Sequence, residues 1–249
     1  LSARGIGQLD FVYIIGDAYV DHPSFGPAII SRVLESHGYT VGILSQPDWH
    51  SAEAFRRLGR PRLAFLISAG NIDSMVNHYT SAKKRRSSDA YTPGGEAGKR
   101  PDRATIVYAN RAREAYRGVP VILGGIEASL RRFAHYDYWD DKVRRSILSD
   151  SGADLLIYGM GERQIVEIAD ALAGGLPAEQ ITYVNGTCYM THSLERVYEY
   201  ETIESYEAVA RDKNAYAAAF MAQYREQDAI RGKRLVQPHG GAFLVVNPP

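Results

Sequence analysis

Short runs of apolar, β-favouring residues recur along this chain, with helix-length amphipathic stretches between them. FVYIIG at 11–16, TVGIL at 40–44, LAFLIS at 63–68, VPVILGG at 119–125 and ADLLIYG at 153–159 have the near-continuous apolar character of strands covered on both faces. Between the first two runs, residues 24–37 place Ile29, Ile30, Val33 and Leu34 at helical spacing, and Gly38 follows as a C-terminal cap. A shorter helix is predicted around residues 51–58. The alternation predicts an α/β fold, a flavodoxin-like doubly wound parallel sheet with strand order 2-1-3-4-5. Each run ends in Gly, Ser, Asn or Asp, at the carboxyl edge where such sheets bind ligands.

Two segments interrupt the alternation. Residues 69–103 form a long insertion rich in Gly, Ser, Pro and charge, with seven basic and three acidic residues from Lys83 to Arg103. It reads either as a solvated loop or as a lid over an anionic ligand or RNA phosphate, with Tyr79 and Tyr91 nearby. After Gly174 come the strand-like ITYVNGTCYM, an acidic stretch over 195–212, a predicted helix over 205–227 and the strand-like FLVVNPP. The expected division is a ligand-binding domain at 1–175 and an α/β extension at 176–249.

Composition narrows the function classes. The 249 residues, 45% hydrophobic, suffice for one large core or two small ones. Lys+Arg and Asp+Glu stand at 29 each, so any attraction for a polyanion has to be local. A single cysteine, Cys188, excludes an internal disulfide and reads as a small buried hydrophobe. No run approaches the roughly 20 apolar residues of a membrane span, and the start shows no secretory pattern, so the expectation is a cytoplasmic protein with no membrane contact. G-x-S-x-G, P-loop and H-E-x-x-H motifs are absent, which leaves hydrolysis and phosphoryl transfer without support.

The predicted strand order places a crevice between the first and third strands. Gly16, Asp17, Ala18, Tyr19, Asp21, His22 and Ser24 would line it from one loop, and Ser68, Gly70 and Asn71 from the other. Gly124 and Gly125, with Gly159, Gly161 and Glu162, would wall its far side. Glu127 and Ser129 join the candidate cofactor contacts, although Glu127 and Arg131, four apart on a helix, also read as a structural pair. The run HYDYW at 135–139 is suited to a domain interface or a cavity roof. A metal site from His135, Asp137 and Asp140 matches no common spacing, and no metal ligands are predicted.

DAYVDHPSFGPAIISRVLE, NHYTSAKKRRSSDAYTPGGEAGKRPDRATIVY, GGIEASLRRFAHYDYWDDKVRRSIL and YGMGE resemble the N-terminal region of YgiQ-type radical SAM proteins, along nearly the whole chain. The resemblance implies a domain similar to the cobalamin-binding domain of B12-type radical SAM enzymes, followed by a radical SAM barrel. That barrel opens with a C-x-x-x-C-x-x-C loop ligating a 4Fe–4S cluster, which binds S-adenosylmethionine. The Cys triplet is missing here, so the cluster, S-adenosylmethionine and any catalytic residues belong to the whole protein, and the chain reads as a fragment leading toward the barrel, its expected partner. Cobalamin is the candidate ligand of this domain. The familiar D-x-H-x-x-G motif is not matched, because Asp21 directly precedes His22 and Gly26 follows four residues later. His22 therefore reads as a loop residue rather than a cobalt ligand.

Two further readings stay open. One is a binding module with a B12-type fold and no corrinoid, using the crevice for a small-molecule substrate or a partner. The other is RNA recognition by Lys83–Arg86, Lys99, Arg100 and Arg103 in a modifying enzyme.

Overall fold

Along the chain, the computed structural model, which describes residues 5–19 and 25–249, begins with β1 (Phe11–Ile15), α1 (Phe25–Ser36), β2 (Val41–Ser45) and β3 (Ala64–Ser68). There follow α2 (Ser74–His78), α3 (Ala104–Ala115), β4 (Val121–Leu123), α4 (Gly125–Leu130), β5 (His135–Asp137) and β6 (Lys142–Arg144). The rest comprises α5 (Ile147–Ser151), β7 (Leu155–Ile157), α6 (Glu162–Ala173), β8 (Thr187–Thr191), β9 (Tyr200–Thr202), α7 (Tyr206–Arg211), α8 (Lys213–Arg225), β10 (Arg234–His239) and β11 (Ala242–Val246).

One nine-stranded sheet runs in the order β2-β1-β3-β4-β7-β8-β11-β10-β9. Its first five strands are parallel and match the predicted 2-1-3-4-5 arrangement. Every residue of β1 and β3 is buried because helices cover both faces. Phe11, Tyr13 and Ile15 alternate to one side with Leu34 of α1 and Ile165 and Ile168 of α6, whereas Val12 and Ile14 pack with Tyr108, Ala109 and Ala112 of α3. Beyond β7 the pairing turns antiparallel through β8, β11 and β10, so residues 176–249 extend the same sheet.

Two expectations change in detail. The predicted helix over 205–227 is broken at Asp212, whose backbone is extended and whose carboxylate accepts from the amides of Asn214 and Ala215, capping α8. The insertion is folded rather than open: α2, a 3₁₀ turn at Pro93–Gly95, and bridges pairing Tyr79 with Arg85 and Ser88 with Glu96 order it. Among the described residues no helix is long and apolar enough to cross a membrane.

Candidate functional site

Gly16, Asp17, Ser68, Gly70 and Asn71 come together where β1 and β3 end. The Gly16 amide donates to the Ser68 carbonyl at 3.2 Å, and the Asn71 amide to Asp17 Oδ2 at 2.8 Å. A methyl group on Gly16 would lie 2.0 Å from the Ala69 carbonyl oxygen, and one on Gly70, at φ +110°, 2.1 Å from Asp17 Oδ1. The chain's own close approach therefore requires both glycines.

The expected crevice between these strands is sealed by the insertion. The Arg100 guanidinium lies 3.2 Å from Asp17 and 3.3 Å from Asp89, donates to the Ala69 carbonyl at 2.7 Å, and sits 5.5 Å over the Tyr91 ring. Its side chain is 0% exposed. The Ala18 amide donates to the Tyr91 carbonyl, and Gln46 Nε2 reaches both the Gly16 carbonyl and Thr92 Oγ1. Tyr19 stands exposed at φ +59° beside this seal. Asp21, His22 and Ser24 lie outside the described residues.

Open space lies further along the edge, on the α1–α6 side. A cleft of about 390 Å³, counting its mouth, is floored by Tyr13, Leu66, Ile122 and Ile157 and walled by Ile30 of α1 and Ile165 of α6. Gly124, Gly125, Gly159 and Gly161, expected on the far wall of the β1–β3 crevice, line the rim of this separate cleft, and Met160, 82% exposed, stands at its mouth. Gly125 is at φ +81°, and a methyl group there would lie 2.5 Å from Ser68 Oγ. Gly124 differs: its φ of −157° suits any residue, and a methyl group would come no closer than 3.9 Å to the Ile157 carbonyl oxygen. Gly26, in the first turn of α1, likewise has nothing among the described residues within 4 Å of an added methyl. Burial pushes the Tyr13 phenol up, against a hydrogen bond with Ser68, so the floor is uncharged at neutral pH. Tyr13, Ile30, Met160 and Ile165 were not among the sequence candidates. The alternation of β1 and the helical spacing of Ile30 carried the signal, read only as core.

Glu127, Ser129 and Glu162 do not line this cleft. Glu127 is 1% exposed, and its carboxylate accepts from the Ser74 amide and hydroxyl at 2.8 and 2.6 Å and from the Thr105 amide at 3.0 Å. It ties the starts of α2 and α3 together. Its pairing with Arg131 exists at 3.8 Å, but that guanidinium bonds chiefly to Asp73. Ser129 accepts from Arg132 through its carbonyl, and Glu162 opens α6.

The HYDYW run forms the first strand and turn of a hairpin, β5–β6. Asp137 accepts from Arg103 at 2.7 Å and from Arg144 at 2.6 Å, and Asp140 pairs with the same two arginines. Burial opposes ionisation of Asp137, yet Arg103, the Asp140 amide and Arg144 hold its carboxyl down to about 2. His135 Nδ1 contacts the Phe133 carbonyl, and burial lowers the imidazole to about 4. Among the described residues no group of three or more metal-ligating side chains occurs. Cys188 is buried, its thiol pushed up to about 12 by burial.

A family model described as Radical SAM N-terminal matches residues 1–249. A UPF0313 protein of Clostridium perfringens strain ATCC 13124 is 60% identical over 247 residues, covering 99% of this chain and 37% of that protein. A UPF0313 protein of Clostridium botulinum strain 657 is 57% identical over 249 residues, covering 100% of this chain and 39% of that protein. The chain thus spans somewhat over a third of the length of the curated relatives it matches. Among solved structures, the radical S-adenosylmethionine methyltransferase TsrM from Kitasatospora setae, with cobalamin and a 4Fe–4S cluster bound, is 19% identical at a TM-score of 0.48, covering 73% of this chain and 27% of that one.

Proposed function

The chain belongs to the radical SAM N-terminal family, and from that premise we propose that it is the cofactor-binding part of a radical SAM enzyme, with residues 1–175 taking a corrinoid of cobalamin type in the cleft bounded by α1, α6 and the ends of β3, β4 and β7. The observation that carries this reading is Gly124, which lines the cleft. It has neither a left-handed backbone nor, among the described residues, a neighbour that excludes a side chain, and it stands at the ligand-binding edge of the sheet. A glycine that its own fold does not need makes room for something else.

The residues fit the group. Tyr13, Ile30, Ile122, Ile157 and Ile165 make an apolar slot for a flat heteroaromatic arm, and Gly124, Gly159 and Gly161 leave bare backbone for its polar continuation. A bound corrinoid supplies alkyl-group transfer. This chain's part is to bind and orient it and to keep water from the slot. The cluster and S-adenosylmethionine fall to the remaining length of the protein, since three thiolates cannot come from Cys188 alone.

The test is reductive cleavage of S-adenosylmethionine by the full-length protein, reconstituted anaerobically with iron and sulfide, with and without cobalamin. Formation of 5′-deoxyadenosine with a substrate turnover that depends on cobalamin is expected. Cleavage and turnover indifferent to cobalamin would move the domain to the class of binding modules without corrinoid.

A further inference from the structure

The most basic segment of the insertion is not where Arg100 and Arg103 are. Those two are consumed inside the fold, by Asp17 and Asp89 and by Asp137 and Asp140. Lys83–Arg86 instead form a turn, closed by the Tyr79–Arg85 bridge and by the Arg86 amide donating to the His78 carbonyl at 2.7 Å. All four residues of that turn are exposed.

The turn is fastened to the β5–β6 hairpin. Tyr138 donates its hydroxyl to the Ser81 carbonyl at 2.6 Å, and Lys83 donates to the Trp139 carbonyl while its ammonium lies 4.8 Å over the Tyr138 ring. Tyr138 nevertheless stays 44% exposed, and Tyr136, on the other flank, 47%. Beyond Tyr136 a groove of about 960 Å³, counting its open side, runs between the hairpin and the α7–α8 junction, bordered by Lys142, Arg211 and Lys213.

Carboxylates close to this surface are already engaged. Asp137 and Asp140 hold arginines, Asp141 accepts from the Tyr136 hydroxyl, and Asp212 caps α8. Lys84, Arg85, Arg86, Arg211 and Lys213 form no ion pair among the described residues. The result is a local positive field interleaved with exposed rings, on a chain of zero net charge.

We infer that the Lys83–Arg86 turn and the β5–β6 hairpin form a binding surface for single-stranded RNA, its phosphates on the lysines and arginines and an unpaired base on Tyr138. Cations along a track with aromatic rings between them suit a single strand, because every base has a face to stack. Duplex DNA keeps its bases stacked inside and would leave Tyr136 and Tyr138 without partners, whereas folded RNA displays unpaired bases in its loops. An acidic protein would satisfy the cations but not call for the rings. The turn follows α2 and the hairpin follows α4, two helices that begin just past the carboxyl ends of β3 and β4.

The experiment is fluorescence anisotropy of the full-length protein with a short unstructured oligoribonucleotide, across a salt series, with duplex DNA and polyglutamate as competitors. Preference for the single strand is expected. The triple variant Lys84→Ala, Arg85→Ala, Arg86→Ala should keep the thermal midpoint and lower the salt slope by about 2. Tyr138→Ala should weaken binding about tenfold, while Tyr138→Phe retains it. An unchanged slope in the triple variant would overturn the inference. So would polyglutamate displacing the probe as readily as unlabelled RNA, which would mark an acidic-protein surface. Absence of binding by the full-length protein would equally overturn it, the surface then being covered by the rest of the chain.

Discussion

The Asp17 carboxylate and the Arg100 guanidinium meet at 3.2 Å with side-chain exposures of 1% and 0%, so the insertion is bolted to the end of β1 by a fully shielded ion pair. With Asp89 on the other side of the guanidinium, one cation answers two carboxylates. Removing the arginine takes the guanidinium away from both carboxylates. Arg100→Met is expected to destabilise the protein by about 3–5 kcal/mol, because the cost of an uncompensated buried charge exceeds what apolar packing returns. Denaturant unfolding measures it. A loss below about 1 kcal/mol would mean that water reaches the carboxylates.

The rim glycines should separate by cause. Gly125→Ala forces an alanine into a left-handed conformation and against Ser68 Oγ, an expected loss of about 2–4 kcal/mol. Gly124→Ala keeps an extended backbone and meets nothing closer than 3.9 Å, so it should leave stability within about 0.5 kcal/mol while weakening ligand binding. Thermal unfolding of the two variants beside a binding titration checks both halves.

Glu127→Gln tests whether that carboxylate is structural. Its oxygens accept from the Ser74 amide and hydroxyl and the Thr105 amide, and an amide side chain would turn a donor toward donors. A loss of about 1–3 kcal/mol is expected, with ligand affinity unchanged once the variant is folded. Unaltered stability with lost affinity would return Glu127 to the ligand site.

Stability should fall as the medium is acidified from about pH 6.5 toward 4. Burial lowers His135 to about 4 and lowers His239 as well, so the unfolded chain binds their protons first. The stabilisation is complete above the unfolded value and lost through the folded one. His135→Gln should make the decline shallower in urea unfolding at stepped pH, and an unchanged slope would count against the buried neutral imidazole. The Asp137 contribution lies lower, present above about 4 and lost as pH falls through about 2.

Five parallel strands were legible in the sequence because apolar continuity is a local signal. The state of the β1–β3 crevice was not. Within GKRPDR, Arg100 looks like one solvated cation among several, and only the fold brings Asp17 and Asp89 to it. Asp212 hid in the same way: within a long helical pattern an aspartate reads as an exposed face, until its carboxylate is seen capping α8. Tyr13 and Ile165 read as core because they are core, and their second use as floor and wall of the cleft leaves no mark in the sequence pattern.

The most direct test of the central claim is a titration of the full-length protein with hydroxocobalamin, followed through the visible corrin spectrum, in parallel with Gly124→Val. The backbone at Gly124 accommodates valine, so the variant should keep its thermal midpoint, while the added side chain occupies the cleft mouth. The account predicts saturable binding by the unaltered protein, weakened about tenfold or more in the variant, the equivalent of roughly 1.4 kcal/mol of overpacking. Binding of equal strength by both proteins, or no corrinoid retained by either, would contradict it.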